Sequence, residues 1–211
     1  MSIKTEMLHG VVWSAIEKYS GLLVQLLITA VLARLLTPTD FGVIAIATVI
    51  TTFFNMFTDM GIGAAIVQNQ TLTREDLRSL FSFSVYAGVI LAVLFFFSSY
   101  LISSFYDNAL LLPICQLLSL NLLFAAWNMV PNALIRKAKR FKFIAVRSFS
   151  LLVVCGILSV SVALVGGGVY SLLITPILSS LAIFLVNYRQ YPIKFSLSVR
   201  KKSLAKVFSF S

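Results

Sequence analysis

The chain has 211 residues, of which 59% are hydrophobic and 11% are charged, and its mean hydropathy is +0.98. A soluble domain is about 45–50% apolar and about 25% charged, so the composition excludes a water-soluble globular protein and indicates an integral membrane protein. The formal net charge of +10 would also suit a nucleic-acid-binding protein. Here the basic residues lie in short segments between apolar runs rather than on one wet surface, so we expect no nucleic-acid partner.

The residues that would hold a metal or perform catalysis are scarce. The single histidine is His9, and the two cysteines, Cys115 and Cys155, lie inside apolar stretches. Such cysteines are typical of small hydrophobic residues rather than of metal ligands or a disulfide framework. The apolar runs contain no histidine and no paired carboxylate motif. We therefore expect no metal, no cofactor and no catalytic residue, and predict that the protein is not an enzyme.

The apolar runs predict the fold class directly. A helix needs about 20 apolar residues to cross a hydrocarbon core of about 30 Å. The longest uncharged run, 148–188, is too long for one crossing, and glycines 166–168 can provide the turn that divides it. The sequence thus predicts an all-α, polytopic membrane protein, a bundle of six transmembrane helices over residues 1–188. The predicted helices are 11–36, 41–65, 80–104, 110–131, 146–165 and 169–188.

Loop charge predicts the orientation of this bundle. Nearly all lysines and arginines fall on one face, at the two ends of the chain and in the connections 66–79 and 132–147. The opposite face has only Arg34, beside Asp40 and Asp107. Because basic loops stay on the cytoplasmic side, both termini are predicted to be cytoplasmic, with 189–211 as a basic tail.

The connection NALIRKAKRFKFIAVR, 132–147, mixes cations with apolar side chains. Such a segment can lie at the headgroup level with its cations toward anionic lipid. These cations either contact the diphosphate of a lipid-linked substrate or serve topology alone. For Arg34 the two interpretations are an anchor at the headgroups and a contact with the substrate. The cations concerned are Arg136, Lys137, Lys139, Arg140 and Lys142.

Polar residues also lie within the first predicted helix. A helix that began at Tyr19, after Glu17 and Lys18, would be too short to cross the membrane, so the charged pair must lie within its inner third. Placed at about 100° per residue, the polar residues share one side of the helix, which should face protein or water because charge is costly in hydrocarbon. They are Ser14, Glu17, Lys18, Gly21, Gln25 and Thr29.

Two further helices repeat this pattern. Thr48, Thr52, Asn55 and Asp59 share one side of the second helix, and Asn121, Asn128 and Asn132 share one side of the fourth. We expect Lys18 to contact Asp59 and Glu17 to face a cavity. These polar sides either join helices through hydrogen bonds or line a water-filled path. The predicted substrate path comprises Glu17, Lys18, Gln25, Asn55, Asp59, Asn121 and Asn128.

Three segments carry a family resemblance. LARLLTPTDFG at 32–42, TDMGIGAAIVQ at 58–68 and IRKAKRFKFIAV at 135–146 occur in order and at the spacing found in one group of exporters. The chain resembles the oligosaccharide and polysaccharide flippases of the multidrug/oligosaccharidyl-lipid/polysaccharide exporter superfamily, in its N-terminal half only.

The resemblance implies a function and a set of partners. It implies transport of an undecaprenyl-diphosphate-linked oligosaccharide across a bacterial inner membrane, by alternating access between two six-helix lobes. Membrane lipid and a second lobe, from another copy or another polypeptide, are the expected partners, because a lone lobe would expose its polar sides to lipid. Three alternatives stay open: a scaffold without transport, an inactive remnant, and half of a cation-coupled drug exporter.

Overall fold

The computed structural model describes residues 3–58, 61–69, 71–193 and 195–196. Within these ranges all regular structure is helical, and the elements follow one another in a simple order along the chain. They are α1 (Ile3–Leu35), α2 (Pro38–Thr58), α3 (Ile62–Gln68), α4 (Arg74–Phe105), α5 (Leu111–Lys137), α6 (Phe141–Leu164), a 3-10 turn (Gly168–Tyr170) and α7 (Ser171–Gln190).

Six of these helices, all except the short α3, are long and apolar enough to cross a membrane. The predicted all-α, six-span architecture is thereby confirmed. Many large apolar side chains face outward, such as Phe105 with 83% of its surface exposed, and this is the surface that hydrocarbon would cover. The cytoplasmic placement of both termini stays a prediction.

The stretch 132–147 differs from its predicted form as a surface connection. Helix α5 continues to Lys137 and α6 begins at Phe141, so only residues 138–140 connect them. Pro131 lacks the N–H that an interior helical position donates, which is a local reason for α5 to end there, yet α5 continues through it. Arginine, lysine and alanine favour helix, and cations in a last helical turn interact well with the helix dipole, so the residues after Pro131 support the continuation. The chain reverses where Lys139 adopts a φ of 55°.

The predicted second helix is divided. Helix α2 ends at Thr58, and α3 begins after Gly61, whose φ of 68° lies in the left-handed region that glycine adopts at low cost. Helix α3 then carries the chain to the turn before α4.

The beginnings of two helices, α2 and α4, are fixed by capping boxes. Thr73 caps α4, with its side chain accepting the backbone N–H of Asp76 while the Asp76 carboxylate accepts the backbone N–H of Thr73. Thr37 and Asp40 form the same reciprocal pair at the start of α2, with N–H to oxygen distances of 3.0 and 3.3 Å. Pro38 occupies the first helical position, where its missing N–H costs least.

Helix α5 lies at the centre of the bundle. It packs against α2, α3, α4 and α7, and α6 packs against α7. The approach of α4 to α5 is close because Gly88 faces Ala126, and a Cβ built on Gly88 would lie 2.6 Å from the Ala126 Cβ. Small residues at such contacts allow helix backbones to approach and increase van der Waals contact.

Helix α1 is the least enclosed spanning helix. Its main partner is α6, where Ile28 lies over Gly156. Its other side is open, with Tyr19 68% and Leu27 67% exposed. Because it depends on one neighbour, α1 is the helix whose position other molecules can most easily influence.

Candidate functional site

A cavity of about 600 Å³ lies between α1 and α6, at the end of the bundle where α5 finishes. The polar residues of α1 reach it because they share one side of the helix. Ser14 lies three and four positions before Glu17 and Lys18, and Gly21 lies four and three positions after them. The remaining lining residues come from the last turn of α5 and the first part of α6. They are Arg136, Phe141, Ile144, Ser148, Phe149 and Leu152.

The cavity is charged. Glu17 is half-buried, while Lys18 and Arg136 are exposed within its wall. Behind the wall lies Arg147 of α6, which the Glu17 carboxylate attracts and the Arg136 guanidinium repels. The cavity wall itself holds two cations, Lys18 and Arg136, and one carboxylate, Glu17, so an anionic group entering from the open side would meet net positive charge.

Arg147 is predicted at the junction between the basic connection 132–147 and the helix 146–165. In the structure it lies in the second turn of α6 and is only 9% exposed. Its Nη1 donates to Oδ1 of Asn187 on α7, and its Nη2 donates to the Ser148 hydroxyl at 3.3 Å. Among the residues that the structure describes, its Nε has no hydrogen-bond partner.

Asn187 connects this arginine to α5. Its amide nitrogen donates to Oδ1 of Asn128 at 2.7 Å, so Arg147, Asn187 and Asn128 form one chain of hydrogen bonds across three helices. The sequence indicates only that these three residues lie at a similar level in the bundle. Consecutive antiparallel helices place the beginning of α6, the end of α7 and the end of α5 at the same level, provided that α6 begins at Phe141.

A second contact joins α5 to α7. The amide nitrogen of Asn121 donates to the carbonyl oxygen of Pro176 at 2.7 Å. The structure thus places Asn121 and Asn128, both predicted for the substrate path, in contacts between helices rather than in the wall of the α1–α6 cavity. Asn132 lies on the same side of α5 and is half-buried.

The other described residues of the predicted path do not line the cavity. Gln25 is exposed higher on α1, and Asn55 is half-buried on α2, whose Thr48 and Thr52 are exposed. Asp59 and the predicted contact between Lys18 and Asp59 lie outside the described residues. Of the predicted path, the structure brings together Glu17 and Lys18.

The predicted headgroup cations have separate positions. Lys137 donates from Nζ to the Asn69 carbonyl at 2.6 Å, which holds the end of α3 against α5. The Lys142 ammonium lies 5.5 Å from the centroid of the Trp13 ring, a cation–π contact between α6 and α1. Lys139 and Arg140 form the α5–α6 turn, and Arg34 is exposed in the last turn of α1.

The fold and the cavity define the class of the molecule, a multi-pass helical membrane protein with a charged cavity at one end of its bundle. Residues 31–211 match the model of a family described as "Polysaccharide biosynthesis protein". The chain belongs to this family, and it is a multi-pass protein of the bacterial inner membrane.

Three curated relatives show the extent of the similarity. An "Uncharacterized membrane protein in cps region" of Klebsiella pneumoniae is 31% identical over 72% of this chain and 32% of its own length. "Teichuronic acid biosynthesis protein TuaB" of Bacillus subtilis is 27% identical over 76% of this chain and 34% of its own. "Lipopolysaccharide biosynthesis protein WzxC" of Escherichia coli is 28% identical over 67% of this chain and 29% of its own.

The chain thus spans about a third of the length of the curated relatives that it matches. No solved structure matches it significantly.

Proposed function

We propose that the chain is the N-terminal lobe of a flippase that moves a lipid-linked oligosaccharide across the inner membrane by alternating access. The observation that carries the proposal is the placement of Glu17, Lys18 and Arg136 around one cavity in a bundle of spanning helices. Charged side chains are costly in hydrocarbon, and a hydrated path is the usual reason for retaining them.

Family membership supports the class of substrate. The relatives include teichuronic acid, lipopolysaccharide and, in "Succinoglycan biosynthesis transport protein ExoT" of Rhizobium meliloti, succinoglycan biosynthesis proteins. A role in biosynthesis is common to these descriptions, and that of ExoT also names transport. An undecaprenyl diphosphate carrying an oligosaccharide would be the transported form.

The chemistry of the cavity suits a diphosphate headgroup. Lys18 and Arg136 offer cationic donors, and Arg147 adds positive potential from behind the wall. Glu17 limits this attraction, which favours release as well as binding. The sugar headgroup would cross in water while the polyprenyl chain stays in the bilayer. Because no bond is broken, the proposed cycle needs no catalytic residue.

A second lobe would complete the path. The exposed polar residues of α1 and α2 lie on the open surface of the described bundle, and they include Gln25, Thr48 and Thr52. The Thr52 hydroxyl donates to the Thr48 carbonyl at 2.8 Å and so has a partner within its own helix. The Gln25 amide would lack hydrogen-bond partners in hydrocarbon, so a facing lobe or a shared water-filled space would be its natural environment. The cavity would open to the cytoplasm in the orientation that loop charge predicts.

The contacts of the asparagines favour a packing role for one part of the predicted path. Asn121 and Asn128 hold α7 through hydrogen bonds of 2.7 Å each. If the whole polar pattern served packing, the chain would be a membrane scaffold without transport. Removing the charge of Lys18 and Arg136 distinguishes the two functions. Among the described residues neither side chain makes an interhelical hydrogen bond like those of Asn121 and Asn128, so a scaffold should tolerate the change and a flippase should lose transport.

The test is complementation of a bacterial strain that lacks its own exporter. The chain is expressed alone and beside a second lobe from a relative, and surface polysaccharide is measured together with the amount of membrane-inserted protein. We expect restoration by the pair and loss of that restoration in Lys18→Gln and Arg136→Gln. Arg140→Gln is the matched control, because it removes a nearby charge outside the cavity wall. Full export by both cavity variants would contradict the proposal.

A further inference from the structure

A second cavity lies beside the charged one. It has a volume of about 710 Å³ and is bounded by α1, the end of α3 and the α5–α6 turn. Ser14, Lys18, Arg136 and Phe141 line both cavities. The residues that line only the second, which we call the lateral groove, are Gly10, Ala15, Tyr19, Val67, Lys137 and Lys139.

The lateral groove opens toward the bilayer. Tyr19, which forms part of its wall, is 68% exposed and belongs to the apolar side of α1 together with Leu23 and Leu26. These neighbours are 64% and 65% exposed, so the groove continues into an apolar surface that lipid chains would cover. A ligand could therefore enter sideways from the membrane without crossing a polar surface.

The described lining of the groove carries positive charge. It contains four cations, Lys18, Arg136, Lys137 and Lys139, and no carboxylate. The acidic residue Glu17 lines the other cavity. Lys137 already donates one hydrogen bond to the Asn69 carbonyl, and an ammonium carries three donors, so it can serve a second acceptor. An apolar wall with a cationic rim is complementary to an amphipathic anion.

We propose that the lateral groove binds one anionic phospholipid of the surrounding bilayer, with its phosphate at the cationic rim and an acyl chain along Ala15, Tyr19 and Val67. This site adjoins the proposed transport path, with which it shares Ser14, Lys18, Arg136 and Phe141, and its other lining residues distinguish it. The bilayer phospholipid is the solvent of the protein, so even a weak site facing it is occupied. Its phosphate needs the two or three donors that the rim supplies, and its chain needs the lateral opening.

The bound lipid would have a structural consequence. Helix α1 packs mainly on α6, and the groove separates its first half from α3 and the end of α5. A lipid in the groove bridges this gap with phosphate contacts on one side and chain contacts on the other. It would hold α1 at the angle at which the neighbouring charged cavity keeps its width.

The test measures lipid binding by the full purified chain. Delipidated protein is titrated with phosphatidylglycerol or phosphatidylcholine, and bound lipid is counted by native mass spectrometry. A photoactivatable phosphatidylglycerol then locates the site by peptide mapping. We expect one tightly bound phosphatidylglycerol, crosslinked within 10–19 or at Val67, and no comparable phosphatidylcholine.

Variants separate the groove from the charged cavity. Lys139→Gln removes a rim charge and is expected to weaken phosphatidylglycerol binding about fivefold. Ala15→Trp fills the groove without changing charge and should also weaken it. The matched controls are Arg140→Gln, which removes the neighbouring charge, and Leu152→Trp, which enlarges a residue that lines only the other cavity. Both controls should bind as the wild type does.

Several outcomes would overturn the proposal. Equal binding of both phospholipids, or equal weakening by Lys139→Gln and Arg140→Gln, would show general attraction to a basic surface. Binding of undecaprenyl diphosphate with exclusion of phosphatidylglycerol would assign the groove to the transported lipid instead. Circular dichroism of Ala15→Trp checks helix content, and Lys139→Gln tests the site independently if that variant does not fold.

Discussion

Arg147 of α6 donates a hydrogen bond to the side-chain carbonyl of Asn187 on α7, and both residues are buried. A guanidinium inside a bundle of spanning helices is normally paired with a carboxylate, but here an amide accepts its hydrogen bond. The Glu17 carboxylate of α1 attracts this charge, and the Arg136 guanidinium repels it. This relationship links the wall of the charged cavity to the packing of α5, α6 and α7.

Removing the amide partner should destabilise the bundle. Asn187→Ala leaves the Arg147 guanidinium buried with fewer partners, and we expect a loss of about 1.5–3 kcal/mol, the range for hydrogen bonds to charged groups. Unfolding by denaturant in detergent micelles measures the change. The double variant Arg147→Met, Asn187→Leu should recover much of the loss, because apolar pairs often replace buried polar ones at little cost. A double variant less stable than Asn187→Ala would contradict this account.

The Asn121 contact should contribute less. Its partner is the neutral carbonyl of Pro176, so Asn121→Ala is expected to cost about 0.6 kcal/mol, the average for hydrogen bonds between helices in membranes. The same unfolding measurement serves. If Asn121→Ala lost as much unfolding free energy as Asn187→Ala, the buried charge of Arg147 would not explain why the Asn187 contact contributes more to stability.

The α4–α5 contact should reject a single added methyl group. Gly88→Ala places a Cβ within 2.6 Å of the Ala126 Cβ, and neither group can move without shifting a helix. We expect a loss of about 1–3 kcal/mol, as for other overpacked positions. Gly42→Ala, in the first half of α2, is the matched control because no heavy atom lies within 4 Å of its added Cβ. Its stability should stay equal to the wild type or rise slightly.

The charged cavity should be open to water. Cys115 and Cys155 are buried, so the wild-type chain should react slowly with a charged thiol reagent. Ser14→Cys, in the cavity wall, should react more than about tenfold faster than Leu122→Cys, which reacts only through local opening. Inside-out membrane vesicles should show the fast reaction and right-side-out vesicles should not, because the cavity is predicted to face the cytoplasm. If Ser14→Cys and Leu122→Cys were equally protected from the reagent, a hydrated cavity would be excluded.

The six spans could be predicted because their signals are local. Apolar length sets the number of crossings, and the spacing of Glu17, Lys18 and Gly21 on one helix places them on the same side whatever the neighbours are. The charges of 136–142 were predicted as a surface connection, which was wrong for most of that stretch. The local signals near Pro131 and Arg140, helix propensity and the helix dipole, are weak compared with the packing that extends α5 past Pro131 and starts α6 directly after Arg140.

The sequence by itself determined the solvent, the number of spanning helices and the presence of charge in the first of them, because each depends on residues close together in the chain. Only the tertiary structure decided that α1 lies on α6, that Arg147 is buried against Asn187 and that a groove lies between α1 and α3. These features require knowing which helices are neighbours and at what height. Helix neighbours in a membrane are selected by close packing and shared hydrogen bonds among distant segments, and no single segment encodes that choice.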